Sequence, residues 1–295
     1  LTNTFLRTTA PVVQAPAKHT QMWQHPPTQH NQAVLRARGY YVIDPDTVRL
    51  TGSDSGVGRL PAPQSIFDHV ESILAGHGSA LVGRHVVVTA GGTREMWDPV
   101  RFLGNRSSGK QGIALARAAL AQGATVTLIT GSVVIDIPSG VHHVPTESAE
   151  QMLEAVRRAM KEDPDALIMA AAVADYRPAQ TQSGKIKKDQ HSGEYLSIEL
   201  TLNEDILATV TRENPDSIVI GFAAETATSP QELLTLGQKK LKAKGCSALI
   251  LNNVSNGDIF GQDHSDIVIL SPSGQAREVS GSKISTAHAV LAHVV

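Results

Sequence analysis

Five short apolar runs, each closed by turn residues, constrain this chain more than any other feature. They lie at residues 85–90 (HVVVTA), 124–130 (ATVTLIT), 166–172 (ALIMAAA), 217–222 (SIVIGF) and 247–252 (SALILN). Runs that are apolar at successive positions, rather than at alternate ones, suit strands covered on both faces, as in a parallel sheet. Helical patterns separate them, at residues 110–122, 147–160, 205–212 and 230–244. In the first of these, Ile113, Ala116 and Leu120 share a face, and Gly123 stands where a helix stops. Alternating strand and helix predicts an α/β fold of three layers around a mainly parallel sheet.

This Rossmann-like sandwich is expected from about residue 81 onward. Two stretches break its rhythm. Residues 1–80 cluster prolines among few periodic segments and read as part of a domain. Residues 176–200 are polar, carry Lys185-Ile186-Lys187-Lys188, and then alternate Leu196, Ile198 and Leu200 against Tyr195, Ser197 and Glu199. Period two predicts a β-flap projecting from the sheet. Residues 283–295 are expected to form a closing helix.

Composition narrows the function. A net charge of −2 over 295 residues argues against nucleic-acid binding by bulk charge. No apolar run approaches the roughly 18 residues of a membrane span. The single cysteine permits no intrachain disulfide and fits a reducing, cytoplasmic setting. No basic segment followed by an apolar run marks the N-terminus as a signal peptide. A first residue of Leu rather than Met fits a fragment or a processed product.

Open α/β sheets bind ligands at the C-terminal ends of their strands. Gly91-Gly92-Thr93 follows the first run, and paired glycines let backbone approach a phosphate; a plain tight turn explains them equally well. A denser signal is DPVRFLGNRSSGKQG, residues 98–112. Ser107 and Ser108 are placed to cap the helix beginning near Lys110, whose N-terminus favours an anion. With Gly109 and Lys110 they make a triphosphate cradle, and Arg101 and Asn105 add polar groups to the same turn. Gly104 to Lys110 nearly spells a Walker A loop, but Gln111 stands where Ser or Thr should hold Mg²⁺. Ala171, Ala172 and Asp175 end the third run, where small residues leave room for a ligand and Asp175 can hold a metal ion or a hydroxyl, or merely cap a helix. Phe222 ends the fourth; it can stack a base or belong to the core. Twelve histidines show no metal-ligand spacing, His142-His143 reads as structural, and Cys246 reads as a small core residue.

Several motifs in order carry a family resemblance. TAGGTREMWDPVRFLGNRSSGKQG (89–112), AAVADYR (171–177), KIKK (185–188), NEDIL (203–207), GFAAET (221–226) and the Lys240/Lys244 pair resemble the phosphopantothenoylcysteine synthetase domain of the bifunctional coenzyme A biosynthesis proteins. The resemblance covers residues 81–295. Departures are Met96-Trp97 in place of Pro and an aliphatic, Glu204 in place of Pro, and Ser247 in place of Asp. Residues 1–80 resemble the C-terminal part of the partner decarboxylase, a flavodoxin-like FMN enzyme. PAKHTQMW (16–23) puts Lys18 and His19 where that family has Met and its catalytic Asn, and LTGSDSGVGR (50–59) puts Gly52 where it has a reactive Cys. The resemblance therefore implies a remnant that neither binds FMN nor decarboxylates.

For residues 81–295 the resemblance implies CTP-dependent joining of 4′-phosphopantothenate to L-cysteine. An acyl-cytidylate forms with release of pyrophosphate, and the cysteine amine then displaces CMP. By resemblance, Gly91, Gly92, Thr93, Ser107, Ser108, Gly109 and Lys110 hold phosphates, and Asn105 and Arg101 hold the intermediate. Ala171, Ala172 and Asp175 border nucleotide or intermediate, Lys185 closes over the reacting phosphate, and Phe222, Lys240 and Lys244 contact the cytidine. Mg²⁺ is expected with the triphosphate, with ligands not assigned, and a homodimer is expected through the flap. Two rivals stand beside this: a nicotinamide-dependent reductase, although the GxGxxG fingerprint is absent, and a noncatalytic assembly subunit, although the synthetase motifs are intact.

Overall fold

The apolar runs pair side by side. The structure is a computed structural model that describes residues 7–49, 55–186, 196–254 and 262–294. Its main body runs β1 (His85–Ala90), α1 (Lys110–Ala121), β2 (Thr125–Thr130), β3 (His142–Pro145), α2 (Ala149–Met160), β4 (Ala166–Met169), α3 (Ile206–Glu213), β5 (Ile218–Glu225), α4 (Pro230–Lys244), β6 (Ala248–Asn253), β7 (His264–Leu270), β8 (Ala276–Ser282) and α5 (Lys283–Leu291). One eight-stranded sheet has the order β3-β2-β1-β4-β5-β6-β7-β8. Its first six strands are parallel, and β7 and β8 add antiparallel to one edge. Strand order reverses between β1 and β4, which makes their C-terminal ends the switch point of the sheet.

Alternate residues of each central strand enter different cores, which is why the runs are continuously apolar. Val86, Val88, Leu128, Ile168, Ile220 and Ile250 pack with Ile113 and Leu115 of α1 and with Val290 and Leu291 of α5. Val87, Ile129, Leu167, Val219 and Leu249 face Met152 and Val156 of α2, Val210 of α3, and Leu233 and Leu241 of α4. The three expected layers result. Ser148 and Ser229 cap α2 and α4 by accepting from Gln151 and Glu232 N–H groups, and left-handed Gly245 ends α4.

Helix α1 lies unusually close to β1. A Cβ on Gly112 would stand 2.4 Å from Ala90 Cβ and 2.8 Å from the Thr89 carbonyl oxygen. Gly112→Ala must push the helix off the strand, and about 1–3 kcal/mol of destabilisation is expected. Urea denaturation measures it; an unchanged midpoint would contradict this packing.

Three sequence expectations shift. Strand β4 stops at Met169 rather than Ala172, because the Ala172 N–H turns to the Gly91 carbonyl. In the polar stretch, Tyr176–Pro178 pairs antiparallel with Leu200–Leu202, so the strand begins where the predicted alternation ends; Lys187, Lys188 and Tyr195 lie outside the described residues. The hairpin of β7 and β8 was not expected, since its outer strand is mostly exposed and carries no apolar run. In the N-terminal segment, Val13–Gln14 runs parallel to Tyr41–Val42, and Asp46–Arg49 pairs antiparallel with Ser55–Arg59. The Lys18 N–H bonds the Gly58 carbonyl at 2.9 Å, which sets the 16–23 motif against this hairpin; Gly52 lies outside the described residues. Among the described residues, no helix is long and apolar enough to cross a membrane.

Candidate functional site

The loop after β1 is stitched to both neighbouring strand ends. Gly91 takes φ 81°, and a Cβ there would lie 2.4 Å from the Ser132 carbonyl oxygen. The Gly92 N–H donates to Ser132 O at 3.0 Å, Thr93 N–H to Ala172 O at 3.2 Å, and Ala172 N–H to Gly91 O at 2.8 Å. Thr93, 1% exposed, accepts from the Ala174 N–H through Oγ1, and Thr89 Oγ1 accepts from Ala171 N–H. The Gly92 N–H is thus spent on neighbouring backbone, where the sequence led us to expect it aimed at a phosphate. The same bonding removes the Ala171 and Ala172 N–H groups as donors. What the glycines supply is space: a Cβ on Gly92 would sit 3.2 Å from Asn105 O and 3.4 Å from Ser107 Cβ.

The N-terminus of α1 faces that floor. Its N-cap is Gly109, left-handed at φ 79° and without a side-chain cap bond, rather than either serine. Ser107 and Ser108 only approach the Gly109 and Lys110 N–H groups, at 3.4 Å each. The first turn therefore keeps weakly committed N–H groups at its positive end. Lys110 pairs with Asp263 at 2.7 Å, and Asn105 donates through Nδ2 to the Val173 carbonyl at 2.9 Å, which ties it to the end of β4.

Asp98 was passed over as a site residue, and it organises the approach to Lys185. It is fully buried. Its Oδ1 accepts from the Val100 and Arg101 N–H groups at 2.8 Å, and its Oδ2 accepts from the Ile186 N–H at 3.2 Å. Arg101 Nη1 stands 3.3 Å from the same carboxylate, and Nη2 donates to the Ile186 carbonyl at 3.3 Å. Burial alone would raise the Asp98 carboxyl; three N–H donors and the Arg101 guanidinium hold it below the usual carboxylate range. Arg101 also lies over the Trp97 ring. The Asp-Pro-x-Arg turn was the available signal, since Asp readily accepts from backbone two and three residues on.

Beside Asp175, which is exposed, Asn203 donates to Ala174 O at 2.8 Å and its own N–H bonds Asp175 O. Asp205 caps α3 and pairs with Lys244. Burial would raise the Asp205 carboxyl, but Lys244 and the Ala208 N–H keep it lowered. Lys240 pairs with Glu225 at the end of β5. Phe222 instead packs toward the α1 side of the sheet, so Phe222 and the two lysines approach the strand ends from opposite faces. Cys246 is buried, with its thiol pushed up by burial, and His143 bonds Thr130 Oγ1 across β2 and β3; both fit the structural roles expected. Among the described residues, no three His, Cys, Asp or Glu side chains gather as a metal cage.

Comparison with known proteins adds the following. The DNA/pantothenate metabolism flavoprotein C-terminal domain family matches residues 81–295, and the Flavoprotein family matches residues 1–75. The Mycobacterium tuberculosis coenzyme A biosynthesis bifunctional protein CoaBC is 45% identical over 307 residues, covering 100% of this chain and 72% of that protein. A crystal structure of the C-terminal domain of a CoaBC protein is 34% identical with a TM-score of 0.60, covering 73% of this chain and 96% of that one. A Cab2 variant solved in complex with phosphopantothenate-cysteine shares the fold at TM-score 0.59 and 16% identity, covering 78% of this chain and 90% of that one.

Proposed function

The chain belongs to the CoaBC family of coenzyme A biosynthesis proteins, and on that premise we propose that residues 81–295 are a ligase joining 4′-phosphopantothenate to L-cysteine at the expense of CTP. The observation that supports the reading is the convergence, at the β1/β4 switch point, of a side-chain-free floor, the α1 N-terminus and Asn105. Such a site offers fixed positive potential and amide donors rather than a strong base, which suits phosphoryl and acyl transfer.

In the first step a carboxylate oxygen of phosphopantothenate attacks the CTP α-phosphorus, and pyrophosphate leaves. In the second, the cysteine amine attacks the acyl carbon, and CMP departs with that oxygen. Gly91, Gly92 and Thr93 form the floor; Ser107, Ser108, Gly109 and Lys110 receive phosphate oxygens; Arg101 and Asn105 grip the acyl-cytidylate. Ala171, Ala172 and Asp175 border it, and Lys185 faces the reacting phosphate. Lys240 and Lys244 meet the cytidine from one sheet face and Phe222 from the other. Mg²⁺ when bound neutralises triphosphate charge. With no acidic cage among the described residues, the phosphates themselves and water, with Asp175 at the mouth, would be its ligands. Pyrophosphate release assayed with CTP or ATP, with and without cysteine, tests the reading; full turnover is expected only with CTP and cysteine together, and no release with either nucleotide would refute it.

The N-terminal segment in this chain is proposed neither to bind FMN nor to decarboxylate. Its described part offers one two-stranded parallel pair, and His19 and Gly52 replace the expected Asn and Cys. The purified chain should be colourless, and a flavin absorption band that survives gel filtration would overturn this.

A homodimer is proposed through the polar stretch. Tyr176, Leu200 and Leu202 are exposed on its ribbon, and Val100, Phe102 and Leu103 are exposed nearby, where Tyr176–Pro178 lies against Arg94–Met96. Apolar exposure at an unpaired ribbon invites a two-fold partner. Light scattering should give twice the chain mass, and Leu202→Asp should shift it toward the monomer; monomer mass at micromolar concentration would contradict the proposal.

A further inference from the structure

Two left-handed glycines meet beneath one valine. Gly91, after β1, takes φ 81°, and Gly109, the N-cap of α1, takes φ 79°. A Cβ on Gly109 would stand 2.5 Å from Val133 Cγ1 and 3.4 Å from Gly91 Cα, and a Cβ on Gly91 would stand 2.8 Å from the same Val133 methyl. One isopropyl group therefore rests on both turns. Val133 belongs to the loop that leaves β2; it is half-buried and packs on the α1 side of the sheet.

The backbone of this loop is tied to both turns as well. The Gly131 N–H donates to Ala90 O at 2.9 Å, and the Ser132 N–H donates to Gly92 O at 2.8 Å while its carbonyl accepts from the Gly92 N–H at 3.0 Å. On the other side of Val133, the Val134 N–H donates to Ser108 O at 3.2 Å. The residue before Val133 is thus joined to the β1 loop, and the residue after it to the entry of α1. Helix α1 has no side-chain cap bond, and glycine by itself imposes no conformation, so packing from outside the helix sets where it enters. A β-branched side chain is stiff at χ1, which makes Val133 a wedge of fixed shape between the floor and the helix entry.

We infer that Val133 is a positioning residue of the ligase site: it sets the gap between the β1 loop and the α1 N-terminus, and through that gap the fit of the nucleotide phosphates. The second half of this statement rests on the ligase reading, and the first half does not. Residues 107–110 are the ones proposed to receive phosphate oxygens, and displacing such groups by about 1 Å can cost about 10²-fold in rate. Val133 has no reactive group, which is why its role is invisible in the sequence.

Two variants separate shape from burial. Val133→Ala removes the branch, whereas Val133→Thr keeps it but places a hydroxyl among apolar neighbours and so costs stability. In the full chain, amide hydrogen exchange over residues 107–113 should quicken about tenfold in Val133→Ala and stay within about twofold of the wild type in Val133→Thr. The KM for CTP should rise about tenfold in Val133→Ala, with the KM for cysteine unchanged, and Val133→Thr should restore most of it although the urea midpoint falls in both. A merely structural valine would make activity follow stability, so that threonine rescued nothing. Unchanged exchange or an unchanged KM for CTP in Val133→Ala, an equal rise in the KM for cysteine, or no rescue by threonine would overturn the inference. If exchange responds as expected but the wild type releases no pyrophosphate from CTP, the ligase reading fails and the placing of the helix entry by Val133 stands. If the wild type ligates and Val133→Ala keeps wild-type exchange and KM for CTP, the inference alone fails.

Discussion

Replacing Lys185 by glutamine is expected to slow turnover by about 10²–10³-fold while still permitting one equivalent of pyrophosphate release. The proposed role sets the residue apart from the other lysines of its polar run. Its neighbour Ile186 is held from both backbone sides, by its N–H to buried Asp98 and by its carbonyl to Arg101. That anchor fixes the backbone beside Lys185 next to Arg101, which is proposed to hold the acyl-cytidylate. An ammonium there steadies the charge that grows on the phosphate as the amine displaces CMP, and glutamine keeps the length without the charge. If Lys185 were only a solvated cation, the change would be under about 0.5 kcal/mol, roughly twofold in rate. Quenched-flow trapping separates the two: acyl-cytidylate should accumulate in Lys185→Gln, and normal turnover, or a pyrophosphate burst without trapped intermediate, would reject the role.

Asn105→Asp should act one step earlier. The Asn105 amide donates to the Val173 carbonyl, and that bond sets the side chain between the α1 N-terminus and the end of β4. Aspartate cannot donate, so the carbonyl loses its partner, and a carboxylate is placed beside the substrate phosphates. Both effects oppose the intermediate, and a loss of about 10²-fold or more in the pyrophosphate burst itself is expected. Single-turnover pyrophosphate release measures it. A full burst with impaired acyl transfer would assign Asn105 to the second step instead.

Much of the scaffold was legible because burial on both faces leaves an unmistakable mark: successive residues of β1, β2 and β4 to β6 enter the two cores, so these runs are mostly apolar. The β7–β8 hairpin left no such mark, because β8 lies exposed at the sheet edge. Capping of α1 misled for a physical reason. Ser107, Ser108 and Gly109 all suit a helix start, and only the backbone's left-handed turn selects the glycine. The glycines after β1 stand out in the sequence, but that the Gly92 N–H is spent on Ser132 and the Thr93 N–H on Ala172 depends on strand ends 40 and more residues away. The same holds for Asp98 and Ile186, 88 positions apart, and for the meeting of Lys110 with Asp263, 153 apart. Local pattern reports which residues have the right chemistry; the topology of the sheet decides which of them meet.

The central claim is that the substrate carboxylate attacks the α-phosphorus of CTP at the β1/β4 switch point. Oxygen tracing tests it most directly. With phosphopantothenate carrying ¹⁸O in its carboxylate, turnover with CTP and cysteine should transfer one labelled oxygen into CMP and none into pyrophosphate, as the acyl-cytidylate requires. Unlabelled CMP, or CDP with label in inorganic phosphate, would contradict it.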